Sequence, residues 1–212
     1  MSLESLSAFC SEHDLGWDNV SGGRFGTYLQ LLEQFNAKMN LIGPLSRQAI
    51  VDELLVDSVA AAAVAGPTGK ILDIGSGAGL PGIPLKILFP DLPITLVEPR
   101  KKRSTFLRIV ANRLDLEQVT VLDARIEDVE LAAHDYVVSK AFRPPADWVE
   151  TAARYVSARG RVVCLHADDT TTSARAAAQR VGLVEAAHVD DVRDELHANV
   201  PPGRSITVFR PR

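Results

Sequence analysis

Through the first 65 residues the hydrophobic positions recur every three or four, with no alternating stretch, which is the spacing of amphipathic helices. Leu3, Leu6, Phe9 and Cys10 share one face behind a Ser2 cap. Phe25, Tyr28, Leu32, Phe35 and Met39 share a second behind Ser21, and Ile50, Leu54, Ser58 and Ala61 a third behind Ser46. Three helices are predicted, forming an N-terminal helical cap over residues 1–65 whose plain role is packing on the core. Gly66-Pro67-Thr68-Gly69 breaks the pattern and opens a second domain, 66–212.

From residue 70 the period changes. Short apolar runs at 70–74, 93–98, 118–122, 135–139 and 161–166 read as strands, with helices at about 82–89, 101–114, 146–157 and 171–181. This alternation predicts an α/β domain, a mainly parallel sheet with helices on both faces. Two last strands, 183–189 and 205–209, flank the acidic, Pro-rich loop 190–203 and are expected to pair as an antiparallel edge. In such a sheet the ligand lies beyond the carboxyl ends of the strands, near the switch in strand order. That selects the loop 75–82, Glu98 with Pro99, the loop 123–128, and Ser139-Lys140-Ala141-Phe142.

At 212 residues, 46% of them hydrophobic, the chain has ample material for one domain or one domain with a smaller attachment. Met1-Ser2-Leu3-Glu4 opens neither a basic segment nor an apolar signal region, and no uncharged apolar run approaches the ~20 residues of a membrane span. A cytoplasmic protein without a membrane partner is expected. Cys10 and Cys164 stand far apart without a Cys-x-x-Cys, so they read as buried thiols, and no metal is expected. The net charge of −4 argues against a general nucleic-acid coating. Any RNA contact must be a local basic patch.

One stretch concentrates chemistry. The first strand ends in Asp73, followed by Gly75, Gly77, Gly79 and Gly82. Glycines at 75, 77 and 79 let the backbone take positive φ and bring N–H groups against a ligand, with a helix opening near Gly82. Asp73 can accept from an ammonium group. Gly77 to Gly82 also fits the dinucleotide pattern G-x-G-x-x-G, with Glu98 about 20 residues on for a ribose. Asp73 separates the two readings: Asp-x-Gly-x-Gly-x-Gly resembles the first motif of S-adenosylmethionine (SAM) methyltransferases, whereas a carboxylate beside a pyrophosphate repels it.

Glu98, at the second strand's end, is placed to take both ribose hydroxyls. In the loop 123–128, Ile126 can pack on an adenine face while a neighbouring N–H or carboxylate reads its edge. Arg100, Lys101, Lys102 and Arg103 open the 101–114 helix, where cations oppose the macrodipole, and four together call for an anion such as RNA phosphate; a solvated charge run is the alternative. Lys140 and Arg143 could extend that patch, with Arg125 and Arg204 as weaker candidates. Of five histidines only His166 falls at a strand end near the site, and no Gly-x-Ser-x-Gly or triad supports hydrolysis.

Together these residues resemble the RsmG (GidB) family, SAM-dependent methyltransferases that modify N7 of one guanine in bacterial 16S ribosomal RNA. The likeness runs from Phe35-Asn36-Ala37-Lys38-Met39-Asn40-Leu41 through Asp57-Ser58 and is densest from Leu72 to Glu127. Gly77-Ala78-Gly79-Leu80-Pro81-Gly82-Ile83-Pro84-Leu85 is its most specific piece, followed by Lys102-Arg103-x-x-Phe106-Leu107-Arg108 and Ser139-x-Ala141-Phe142. It implies a Rossmann-like class I SAM-dependent methyltransferase fold, with Gly75 and Leu80 touching the cofactor, Ile126 and Glu127 flanking adenine, and Lys140 between cofactor and target. Family members commonly carry histidine at the position of Leu54, arginine at Lys140, Ala-Ser at Arg143-Pro144 and Lys-Gly at His166-Ala167. The departures concentrate on the acceptor side.

Direct transfer to guanine N7, an in-plane lone pair without a proton, needs no general base. Alignment within near-attack distance would supply the catalysis. Lys140 would position the guanine edge or a phosphate, and Phe142 would stack on a base, a buried core Phe being the alternative. Lys102 and Arg103, with Arg125, Arg143 and Arg204, would hold the RNA of a small ribosomal subunit precursor, acted on by a monomer. Three rivals stay open: a methyltransferase for another RNA or a small molecule, an NAD-dependent oxidoreductase built on the literal G-x-G-x-x-G, and a non-catalytic SAM- or RNA-binding module.

Overall fold

The computed structural model describes residues 3–140, 142–167 and 170–212. Ser2, expected to cap the first helix, and Ala141 lie outside the described residues.

The N-terminal segment is helical as the spacing predicts: α1 (Glu4–Glu12), α2 (Asn19–Met39), α3 (Arg47–Ala49), a π-helical stretch Ile50–Val56, and α4 (Asp57–Val64). Ser21 does not cap α2. Asp18 does: its carboxylate accepts the Ser21 N–H at 2.7 Å while Ser21 Oγ accepts the Asp18 N–H at 2.8 Å, a reciprocal capping box one turn earlier than the spacing suggested. Ser46 caps α3, accepting the Ala49 N–H at 3.2 Å. The π stretch widens the turn and rotates the buried face. Leu54 is consequently only half-buried, while Val51, Leu55, Val56 and Val59 join Ile50, Ser58 and Ala61 inside.

Seven strands follow: β1 (Ile71–Ile74), β2 (Ile94–Val97), β3 (Val119–Leu122), β4 (His134–Lys140), β5 (Val156–Ala167), β6 (Leu183–Val189) and β7 (Arg204–Pro211). They form one sheet in the order β3-β2-β1-β4-β5-β7-β6, the first five parallel. β6 and β7 pair antiparallel at one edge of the sheet, as expected, with β6 outermost. β7 lies between β5 and β6, antiparallel to both. The continuous burial of Ser205 through Phe209 is the signature of a strand covered on both faces.

The helices α5 (Gly82–Leu88), α6 (Lys101–Arg113), α7 (Pro145–Ala152) and α8 (Thr171–Arg180) connect the strands, with a short 3₁₀ turn at Ile126–Asp128 and α9 (Val192–Glu195) inside the loop predicted over 190–203. α7 stops short of the predicted residue 157 because β5 already begins at Val156, paired with His134. Alternate strand residues feed two cores. Ile71, Leu96, Tyr136 and Val138 pack on one face with Leu6, Phe25, Tyr28, Leu55 and Val59 of the N-terminal helices and Phe106 and Leu107 of α6. Leu72, Ile74 and Val137 pack on the other with Trp148 and Val149 of α7 and Ala174 and Ala177 of α8. No described helix is long and apolar enough to cross a membrane.

Candidate active site

The strand order reverses between β1 and β4, and the candidate residues gather at the carboxyl ends of the strands around that point. Gly75, Gly77 and Gly79 have φ of +74°, +55° and +95°, the conformations the glycine spacing predicts. Gly82 serves contact instead: a Cβ there would fall 2.5 Å from Asp73 Oδ2 and 2.6 Å from Leu96. From the N-terminal helices, Tyr28 Oη donates to the Ala78 carbonyl at 2.8 Å, so α2 fastens the bend.

Asp73 sits beneath this bend, fully buried. Its Oδ2 accepts the Gly82 N–H at 3.1 Å, which satisfies the first turn of α5 from inside the protein, and Oδ1 has no protein partner. Burial pushes the carboxyl up to about 8, against the opposing pull of the Gly82 hydrogen bond and the nearby Ser76 hydroxyl, which donates to the Asp73 backbone carbonyl, and aided by nearby Glu98. Glu98, also buried, accepts the Gly77 N–H at 2.9 Å through Oε2 and the Arg100 N–H at 2.8 Å through Oε1. Each oxygen keeps a second lone pair for a hydroxyl donor. Arg103, on the first turn of α6, lies 3.6 Å from where a Cβ on Gly77 would stand. Lys102 is exposed beside it.

Ile74, Gly75, Val97, Pro99, Ile126 and Glu127 bound a slot of about 70 Å³, with Arg125, Phe142 and Arg143 completing its wall. Ile126 is buried at its base, its carbonyl accepting from Tyr155 Oη at 2.9 Å. Glu127 is ion-paired with Arg143. A hydrogen bond from its own backbone, together with Arg143, holds its carboxyl below the usual range. Arg143 also lies over the Phe142 ring, 4.7 Å from its centroid, and Phe142 meets Trp148 edge-on. The Phe142 ring covers Gly75 closely: a Cβ on that glycine would come within 2.3 Å of it. Apolar walls with a carboxylate at the rim, a diol-competent Glu98 and an unpartnered buried Asp73 oxygen fit the chemistry of SAM. The slot itself has room for only a few waters. Phe142 and Arg143 close one side of it.

A second opening of about 270 Å³ adjoins the first, since Arg143 lines both; around it stand Asp57, Lys140, His166, Thr170 and Arg204. The structure thus brings Lys140, Arg143 and Arg204 together and leaves Arg125 on the slot side. Lys140 does not stand loose in this opening. Its ammonium is 2.6 Å from Asp57 Oδ2 and within 3.4 and 3.5 Å of the Glu53 and Leu54 carbonyls, which the π-helical stretch turns toward it. His166 has protein partners on both ring nitrogens: Nδ1 with the Ala167 carbonyl at 2.8 Å and Thr170 Oγ1 at 3.1 Å, Nε2 with Thr207 Oγ1 at 2.9 Å. Thr207 Oγ1 continues at 2.8 Å to His188, which pairs with Asp190 at 2.6 Å. Tyr28, Asp57, Thr170 and Thr207 escaped the residue-by-residue reading. Tyr28, Asp57 and Thr207 each reach a partner far along the chain, Ala78, Lys140 and His166, while Thr170 bonds nearby His166 and Ala167; only Asp57 carried a signal, as part of Asp57-Ser58.

A seven-stranded sheet in this order, with a glycine bend and an acid at the end of β1, defines the class I methyltransferase fold. Solved structures agree: the chain resembles magnesium protoporphyrin IX methyltransferase from Synechocystis PCC 6803 with bound SAM (15% identity, TM-score 0.62, covering 86% of this chain and 97% of that one). It also resembles a ribosomal protein L11 methylase from Lactobacillus delbrueckii subsp. bulgaricus (10% identity, TM-score 0.60, 80% and 81% covered). The family model GidB, "rRNA small subunit methyltransferase G", matches residues 23–196. Ribosomal RNA small subunit methyltransferase G of Roseiflexus castenholzii is 36% identical over 193 residues, covering 85% of this chain and 81% of that protein. The protein of the same name from Streptococcus pneumoniae R6 is 30% identical over 177 residues, covering 80% and 75%. The chain belongs to this family and is a SAM-dependent methyltransferase. The literal G-x-G-x-x-G is therefore the inner part of a SAM motif, and the nicotinamide reading falls.

Proposed function

We propose that the protein transfers a methyl group from SAM to N7 of a guanine in 16S ribosomal RNA. The observation that carries this is the adjacency of the two openings: a slot of cofactor chemistry shares Arg143 with a pocket ringed by cations and lacking a free base. When bound, the cofactor supplies an electrophilic methyl group on a sulfonium. Asp73 and the bend at Gly75, Gly77, Gly79 and Leu80 hold its amino-acid end, Glu98 its ribose, and Ile126 and Glu127 its adenine. Phe142 and Arg143, on the slot wall, face the acceptor base. N7 carries no proton, and Asp57, Asp73 and His166 are all engaged or buried, so the site orients its reactants and removes no proton. Lys140 pins α4 to the end of β4 and thereby sets the pocket wall. Lys102, Arg103, Arg125 and Arg204 meet RNA phosphate. The protein works as a cytoplasmic monomer without a metal, with residues 1–65 as the helical cap and 66–212 as the methyltransferase domain.

Labelled SAM incubated with small ribosomal subunits from a strain lacking the modification should label 16S RNA. A second reading changes only the acceptor, and it is favoured by the Lys140 ammonium, whose three protein acceptors leave no donor for a guanine edge. Label in a small-molecule fraction, with none in RNA, would decide for it.

A further inference from the structure

A groove of about 490 Å³ lies between α2 and α6, outside both openings of the active site. Its floor is the half-buried Leu31, Phe35 and Ile109, and its rim carries Gln34, Asn112 and Arg113, with no acid in the lining. The two helices run antiparallel: Arg24 near the start of α2 donates to the Leu114 carbonyl at 3.0 Å, and Phe35 near its end meets Phe106 at 5.2 Å. The groove therefore leads along α6 toward Arg103 and the glycine bend, about 15 Å from Arg113 at helical rise.

α6 carries five cations, Lys101, Lys102, Arg103, Arg108 and Arg113, and no acid, in a chain of net charge −4. Among the described residues, Arg47, Lys140, Arg143, Arg175 and Arg180 all form ion pairs, and none of the α6 cations does. Unpaired cations crowded at a helix N-terminus oppose its macrodipole. A basic wall above an apolar, partly aromatic floor matches a single RNA strand, with phosphates on the wall and a base on the floor.

We propose that this groove is a second RNA-docking site, separate from the acceptor pocket, which holds a strand of the substrate as its target base enters the slot. The proposal rests on the RNA-methyltransferase reading above and adds that the enzyme grips its substrate at two places. An RNA too short to reach the groove is then a poor substrate.

The test uses Gln34→Glu and Arg113→Glu, singly and together, in the full chain; both side chains are exposed and neither makes an ion pair, and a thermal melt checks folding. Binding to a 16S RNA transcript is titrated at several salt concentrations, beside methyl transfer to small subunits. The double variant should bind the transcript about tenfold more weakly, with a salt slope smaller by about one. SAM affinity and kcat at saturating RNA should stay unchanged. Unchanged transcript affinity and salt slope in the double variant would overturn the proposal. So would a loss confined to subunits, which would place an acidic protein in the groove. Because binding is read without turnover, the groove can fail while methyl transfer holds, and the reverse.

Discussion

At the scale of the residue, Asp73 carries the clearest physical signature. Its native pKa of about 8 stands above the ordinary 3.8, so from pH 4 to 8 the folded chain holds a proton that the unfolded chain has released. Stability from this group is complete below pH 4, declines as pH rises across that window, and is flat above it. Asp73→Asn keeps an acceptor for the Gly82 N–H and should abolish that decline, as read from denaturant midpoints across the window. Glu98 divides cofactor from RNA. Glu98→Ala should weaken SAM binding, while Lys102→Glu with Arg103→Glu should spare it and depress RNA methylation; equal losses of SAM affinity would break this division. The glycines were legible in the sequence because positive φ needs them at particular positions. The partners of Asp73 and Glu98 were not, since the Gly82 and Gly77 N–H groups reach them only once the bend has closed.

Among the elements, the π-helical stretch and the end of β4 act as one joint. Asp57 is buried and Lys140 partly so, so removing Lys140 leaves a buried carboxylate and should cost about 3–5 kcal/mol, removing Asp57 should cost less, and Asp57→Leu with Lys140→Met should recover much of the loss. Chemical denaturation of the singles and the double measures it. Full activity in the stable double variant would show that Lys140 has no part in shaping the acceptor pocket. Helix periodicity placed α2 and α6 to within a few residues, yet the widened turn at Ile50–Val56 was invisible because apolar side chains at Val51, Leu54, Leu55 and Val56 satisfy several faces at once. The order within the expected antiparallel edge pair was illegible for a related reason: the pairing of β7 with β5, inside β6, depends on a chain reversal that no local pattern encodes.

For the whole molecule, the N-terminal helices share a core with β1, β2 and β4 and reach the glycine bend through Tyr28, so helical packing and the cofactor site are mechanically linked. Tyr28→Phe leaves the buried Ala78 carbonyl without its donor, a loss of about 1–3 kcal/mol. It should raise the Kd for SAM several-fold while leaving RNA affinity intact, as titration of each ligand would show. Acidic overall but basic along α6, the molecule carries on that helix a local basic patch of the kind the proposed RNA contact needs. The most direct measurement is nucleoside mass spectrometry of 16S RNA after reaction with labelled SAM and undermodified small subunits. The label should appear as N7-methylguanosine at a single nucleotide. Label on another base, on a ribose, or in no RNA at all would contradict guanine N7 transfer.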